Sequence, residues 1–223
     1  MHTFKSYLGK DIIIELSGDR RRAGMLIDCG PDVLVIYEDT KYLYIPLTHI
    51  QNLEVSPKKN TDYAAPPQKK ARNGETLSFA KIVQEAQGKL TELCLAERQS
   101  VYGHILHIKN DYIVFYSPVH QTLLIPIFHI KWLSPYEGGM LAVDKKISET
   151  NAASAQPQSY ADSFEAQLQT FEGKVVMLDF GLKSNRLGTL EKIEDHTLEF
   201  VTTDQQRQHF HISHVKNFVS PNP

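Results

Sequence analysis

The pattern of apolar and polar positions switches between two periods, and the switch recurs three times along the chain. Phe79, Ile82, Val83 and Ala86 fall on one helical face behind Ser78, a favourable N-cap, and Gly88 follows as a helix-ending glycine. Ser163, Phe164, Leu168, Phe171 and Gly173 repeat that design, and Phe4 and Leu8 before Gly9 form a shortened version. After each glycine the helical period disappears. Runs rich in apolar and β-branched residues at 12–16, 90–95 and 175–180 predict first strands. Third strands are predicted at 33–37, 112–116 and 197–201, starting after Asp32, Asp111 and Asp195. Fourth strands follow at 42–47, 122–127 and 208–212, and short fifth strands at 51–55, 131–133 and 216–219.

The spacing of the markers makes this an internal repeat. Gly-Lys occurs at Gly9, Gly88 and Gly173, and a second glycine follows 15 residues later at Gly24, Gly103 and Gly188. His49, His129 and His214 lie 40, 41 and 41 residues after the first glycine, each followed by Ile or Val. A glycine within a strand marks a bulge, a bend or close backbone approach. Pro46 and Pro126 belong at strand ends, where a missing N–H is tolerated; His211 holds that slot in the third copy. A short helix, four strands, a one-turn link and a fifth strand is the order of an Sm-like small β-barrel. The predicted fold is therefore mainly β, three such barrels each preceded by a short helix. The modules span 1–56, 77–136 and 163–223, with a flexible basic linker at 57–76 and a second flexible linker at 137–162.

Charge narrows the function classes. The chain has a formal net charge of −2, and the three modules carry −2, +1 and −2. None has the basic excess that phosphate-backbone binding requires, so nucleic acid is not the expected partner. No apolar run approaches the roughly 20 residues of a membrane span, and the N-terminus lacks the apolar core of a signal peptide. Cys29 and Cys94 occupy non-equivalent positions and read as free thiols. No P-loop, nucleophile elbow or zincin helix occurs, and no catalytic residue or cofactor is expected.

Four groups of residues stand out. The repeated His49, His129 and His214 have no nucleophile or carboxylate at a fixed spacing and read as turn-fixing groups that bond the backbone. His209 and His211 share a strand face near His214, a weak metal candidate because the other copies lack it. Arg20, Arg21 and Arg22 form a basic turn suited to a docking partner. Tyr42, Tyr44, Tyr116 and Trp132 suggest an interface, either between modules or with a partner.

The closing segments Phe128-His129-Ile130-Lys131-Trp132-Leu133-Ser134 and Ser213-His214-Val215-Lys216-Asn217-Phe218, with a looser copy at Thr48-His49-Ile50-Gln51-Asn52-Leu53, resemble the modules of spore coat protein B of endospore-forming bacilli. That family's Ser-rich tail has no counterpart here. The resemblance implies a non-enzymatic structural or assembly protein, present in the mother-cell cytoplasm and then in the spore coat. Its implied partners are other coat proteins, with possible homo-oligomers and no membrane. An Sm-like RNA-binding protein is the alternative expectation.

Overall fold

The computed structural model describes residues 4–18, 20–57, 76–96, 99–136, 159–181 and 186–219. Most of both predicted linkers lies outside these residues. The first repeat contains a one-turn 3-10 helix at Phe4–Tyr7 and strands β1 (Asp11–Leu16), β2 (Arg20–Cys29), β3 (Val33–Glu38), β4 (Lys41–Pro46) and β5 (Ile50–Val55). The second contains helix α1 (Phe79–Ala86) and strands β6 (Leu90–Ala96), β7 (Gln99–Ile108), β8 (Tyr112–Ser117), β9 (Gln121–Pro126) and β10 (Trp132–Pro135). The third contains helix α2 (Phe164–Gln169) and strands β11 (Val175–Leu178), β12 (Leu187–Glu194), β13 (Thr197–Thr202), β14 (Arg207–His211) and β15 (Phe218–Val219). The fold is mainly β, and the strand pairings among the described residues are antiparallel.

The chain divides into two compact units, and the division falls inside the second repeat. The first unit holds the whole first repeat with α1, most of β6, the start of β7, and β10. Its strands run in the order β5-β1-β2-β3-β4-β10-β6. The second unit holds the end of β7, β8 and β9 together with the third repeat. Its order is β7-β8-β9-β15-β11-β12-β13-β14.

These orders correct the expectation of self-contained barrels. Among the described residues, a fourth strand never pairs with its own fifth strand. β4 and β9 take the fifth strand of the following repeat instead. Leu133 of β10 lies opposite Tyr44 of β4, and Phe218 of β15 lies opposite Leu124 of β9. The cores are shared in the same way. Trp132 and Cys94 of the second repeat pack with Ile12, Ile14, Leu16 and Leu43 of the first. Tyr112, Val114 and Leu124 pack with Phe164, Leu178, Phe200 and Phe218 of the third. A repeat of this size buries little apolar surface alone, and a neighbour's strand supplies what is missing.

The recurring glycines do two different jobs. Gly9, Gly88 and Gly173 adopt φ of +75°, +75° and +76°, with open space where a Cβ would sit. They end the helical segment and turn the chain so that their N–H groups donate to Leu26, Ile105 and Leu190 carbonyls at 2.8, 3.2 and 2.7 Å. The adjacent lysines Lys10 and Lys174 each lie 5.3 Å over the aromatic ring two residues before the glycine, Tyr7 and Phe171. The second set is a matter of close approach. A Cβ on Gly24, Gly103 or Gly188 would lie 2.4, 1.9 or 2.1 Å from a carbonyl oxygen of the third strand. The bulge expected at this glycine falls three residues later, at Ile27, Leu106 and Glu191, where the register of β2, β7 and β12 slips against the next strand.

Helix caps also reach across repeats. Ser78 and Ser163 accept hydrogen bonds from Lys81 and Ala166 N–H, as N-caps should. The next orphan donor is satisfied from the preceding repeat: Phe79 N–H donates to Asp32 at 3.1 Å, and Phe164 N–H to Asp111 at 2.8 Å. In the third repeat the corresponding slot is His196 and not Asp195, because His196 carbonyl accepts from Ile212 as Asp32 and Asp111 carbonyls accept from Leu47 and Ile127. Asp111→Ala is expected to cost about 1 kcal/mol. Urea denaturation followed by circular dichroism measures this, and a cost no larger than that of Asp195→Ala would refute the cap.

Candidate protein-interaction site

A polar cluster lies in the first unit, where β10 meets β4. Trp132 is 0% exposed and sits opposite Cys94 of β6. Two cations cover its ring: the Arg22 guanidinium at 4.9 Å and the Lys41 ammonium at 5.2 Å. Each cation has its own carboxylate. Arg22 donates to Glu38 at 3.0 Å, and Lys41 to Glu92 at 2.6 Å. Lys131, next to Trp132, donates through Nζ to the Ser17 carbonyl. The Trp132 indole N–H has no hydrogen-bond partner among the described residues. The cluster holds an aromatic anchor by packing and cation–π attraction, closed by two ion pairs.

The two carboxylates shift in opposite directions, although burial raises both. It pushes the Glu38 carboxyl up, and the Arg22 charge and the Ala23 N–H only partly offset it. Burial pushes Glu92 up as well, but hydrogen bonds from Lys41 and Ser100 and the Lys41 charge outweigh it, so its carboxyl sits below the ordinary range. A depressed carboxylate stabilises the fold above its unfolded value near 4.5, and that stability disappears as pH falls through the folded value. Glu92→Gln is therefore expected to cost about 1 kcal/mol at neutral pH, after allowing for solvent screening. The difference from the unsubstituted protein should shrink on acidification. Chemical denaturation at neutral and acid pH decides this, and a pH-independent difference would show that the Lys41 pair contributes nothing.

The sequence-predicted residues distribute as follows. Tyr42 and Tyr44 are each 6% exposed and Trp132 is 0% exposed, so these three turn inward. Tyr44 and Trp132 lie at the joint between the first and second repeats. Tyr116 is half-buried in the second unit, and its carbonyl is the oxygen that Gly103 approaches. Of the arginine turn, Arg21 is exposed and paired with Glu15 at 2.5 Å, while Arg22 belongs to the Trp132 cluster. Arg20 lies in β2 and its side chain is outside the description. His49 ties the end of β1 to the closing turn: its Nδ1 is 3.2 Å from Ser17 Oγ, and its carbonyl accepts from Ser17 N–H at 2.9 Å. His129 stacks on Phe128 at 4.1 Å. His214 is exposed, 6.2 Å from the His211 ring.

His209 and His211 are both exposed on β14, and His211 Nδ1 accepts from Ser213 N–H at 3.2 Å. No group of three or more His, Cys, Asp or Glu suited to a metal ion occurs among the described residues. Cys29 and Cys94 are free thiols. Sequence reasoning missed Lys41, Glu38 and Glu92, and the Asp32 and Asp111 caps. The caps did leave a signal: aspartate immediately before the third strand in the first two repeats, and histidine there in the last.

The second unit has a related arrangement. Arg186 occupies the slot of Arg22, two residues before the second glycine. It pairs with Asp179 at 3.5 Å and lies 4.3 Å over Phe210. Asp179 also accepts the Lys216 N–H at 2.7 Å, tying the closing segment to the 3-10 turn that follows β11.

The third repeat matches the YwrJ third domain. The family model of that description covers residues 163–218, beginning at the N-cap Ser163. The chain is also 26% identical over 226 residues to a protein of Bacillus subtilis (strain 168) described as Uncharacterized protein YwrJ, covering 99% of this chain and 100% of that relative. Neither match links the chain to the spore coat protein B family, so the relationship supported is likeness to YwrJ.

Proposed function

We propose that this chain is a non-enzymatic assembly protein that presents three Sm-like modules as a multivalent protein-binding scaffold, acting in the bacterial spore coat. One observation carries the reading: the residues that recur are framework, and the repeats are joined by strand exchange. The recurring glycines set turns and close approaches, and the aspartate caps and fifth strands clamp one repeat to the next. The five-strand order within the first repeat, with a long bulged second strand, supports the Sm-like description. Linked modules raise effective concentration, so weak contacts to other coat proteins add up to firm attachment.

The RNA-binding alternative needs cations available to phosphate. Arg21 and Arg22, its best candidates, are already paired with Glu15 and Glu38. No described helix is long and apolar enough to cross a membrane.

A fluorescent fusion expressed in a sporulating bacillus tests the coat reading. The expected result is a shell of fluorescence around the forespore. Signal that stays diffuse in the mother cell would overturn it. Filter binding to single-stranded RNA across a salt series tests the alternative, which requires affinity that falls steeply with salt.

A further inference from the structure

We infer that the open fourth strand of the last repeat, β14, takes the open fifth strand, β5, of a second copy of this chain. The chain makes this joint twice within itself, β4 with β10 and β9 with β15. Both joints use one register. The residue two before the end of the fourth strand (Tyr44 before Pro46, Leu124 before Pro126) faces the residue four after the turn histidine (Leu133 after His129, Phe218 after His214). Three repeats hold three fourth strands and three fifth strands, and two joints use two of each. The remaining pair are the terminal strands of the described sheet order, β14 and β5.

Exposure at these ends follows the missing joint. Leu133 and Phe218 are 0% exposed, whereas Leu53, in the same slot of β5, is only half-buried. Tyr44 and Leu124 are buried, whereas His209 in their slot on β14 is exposed. Among the described residues each terminal strand is held on one side only, Leu53 opposite Ile14 and His209 opposite Glu199. An open antiparallel edge is a template for a further strand. The repeated register places Leu53 of one copy opposite His209 of the next. The joint is heterologous, so it builds a ring where the rotation closes and a filament where it does not. The polar residues of β14, including Arg207, His209 and His211, make it weaker than the two apolar joints inside the chain, so it forms at high local concentration.

Two singly substituted proteins, Leu53→Cys and His209→Cys, each also carrying Cys29→Ser, test this when mixed and oxidised. Neighbouring antiparallel strands bring Cα atoms within disulfide reach. The mixed 53–209 disulfide, identified by peptide mapping, is expected to exceed the two homodisulfides combined, and Asn52→Cys in place of Leu53→Cys is expected to abolish that excess. Light scattering of the unsubstituted protein over a concentration series should show mass rising above that of the monomer. A mixed disulfide at or below the combined homodisulfides, equal yields from positions 52 and 53, or constant monomer mass would each overturn the inference. It does not depend on the coat reading: a failed cross-link leaves a forespore shell intact, and diffuse fluorescence leaves the cross-link intact.

Discussion

Replacing Trp132 by alanine is expected to lower stability by about 3–5 kcal/mol. Trp132 is the chain's single tryptophan, fully buried, and it belongs to the core of the first repeat although it comes from the second. Its removal leaves a cavity among Ile12, Ile14 and Leu43 and strips Arg22 and Lys41 of the ring they cover. Trp132→Phe should cost much less. Most of the packing survives, and the indole N–H that is lost has no partner among the described residues. Urea denaturation followed by circular dichroism gives both values. In the unsubstituted protein, Trp132 fluorescence reports the first unit selectively. Because the described chain forms two units, Trp132→Ala should advance part of the transition and not all of it. A loss under about 1 kcal/mol, or one equal to that of Trp132→Phe, would mean that this side chain does not bind the repeats together.

Much of the architecture inside each repeat was legible in the chain. Helix positions followed from Ser78 and Ser163 with apolar residues at helical spacing, and α1 and α2 formed where that spacing put them. Strand positions followed from apolar runs and from Pro46 and Pro126, which stand at the ends of β4 and β9. These features are local, so a local pattern encodes them. Pairing between repeats is not local. Tyr44 is a sensible residue for a barrel wall or for an interface, and only its position opposite Leu133 distinguishes the two. The inward turn of Tyr42, Tyr44 and Trp132 was hidden for the same reason: an alternating aromatic strand looks the same whether its second face meets solvent or another strand. The ion pairs around Trp132 join Arg22 with Glu38 and Lys41 with Glu92, across sequence distances of 16 and 51 residues. No single-chain spacing rule links residues that far apart. The mismatch at the tail was visible, however. His211 replaces Pro in its slot, and β14 is the terminal strand of the described sheet order; the aspartate slot, expected at Asp195, falls on His196 only once the pairing with Ile212 is known.

The two glycine sets should respond to substitution in opposite orders, which tests the division between turn and close approach. At Gly88, with φ of +75° and no atom within 4 Å of a built Cβ, alanine meets only a backbone cost of about 1–2 kcal/mol. Asparagine tolerates that conformation better, so Gly88→Asn is expected to be milder than Gly88→Ala. At Gly103 the backbone is ordinary, but a Cβ would lie 1.9 Å from the Tyr116 carbonyl oxygen and 2.8 Å from the Phe115 ring. Relief requires β7 and β8 to separate where they pair, next to the Leu106 bulge. Gly103→Ala is therefore expected to cost about 3 kcal/mol or more, and Gly103→Asn, with a larger side chain in the same space, still more. Urea midpoints for the four variants settle the order. If asparagine is the milder replacement at both sites, Gly103 serves a turn and the close approach is not what the second glycine provides. If alanine is milder at 88, the left-handed turn is not what the Gly-Lys pair encodes. The reversal is expected again at Gly173 and Gly188, where φ is +76° at the first and a Cβ on the second would lie 2.1 Å from the Val201 carbonyl oxygen.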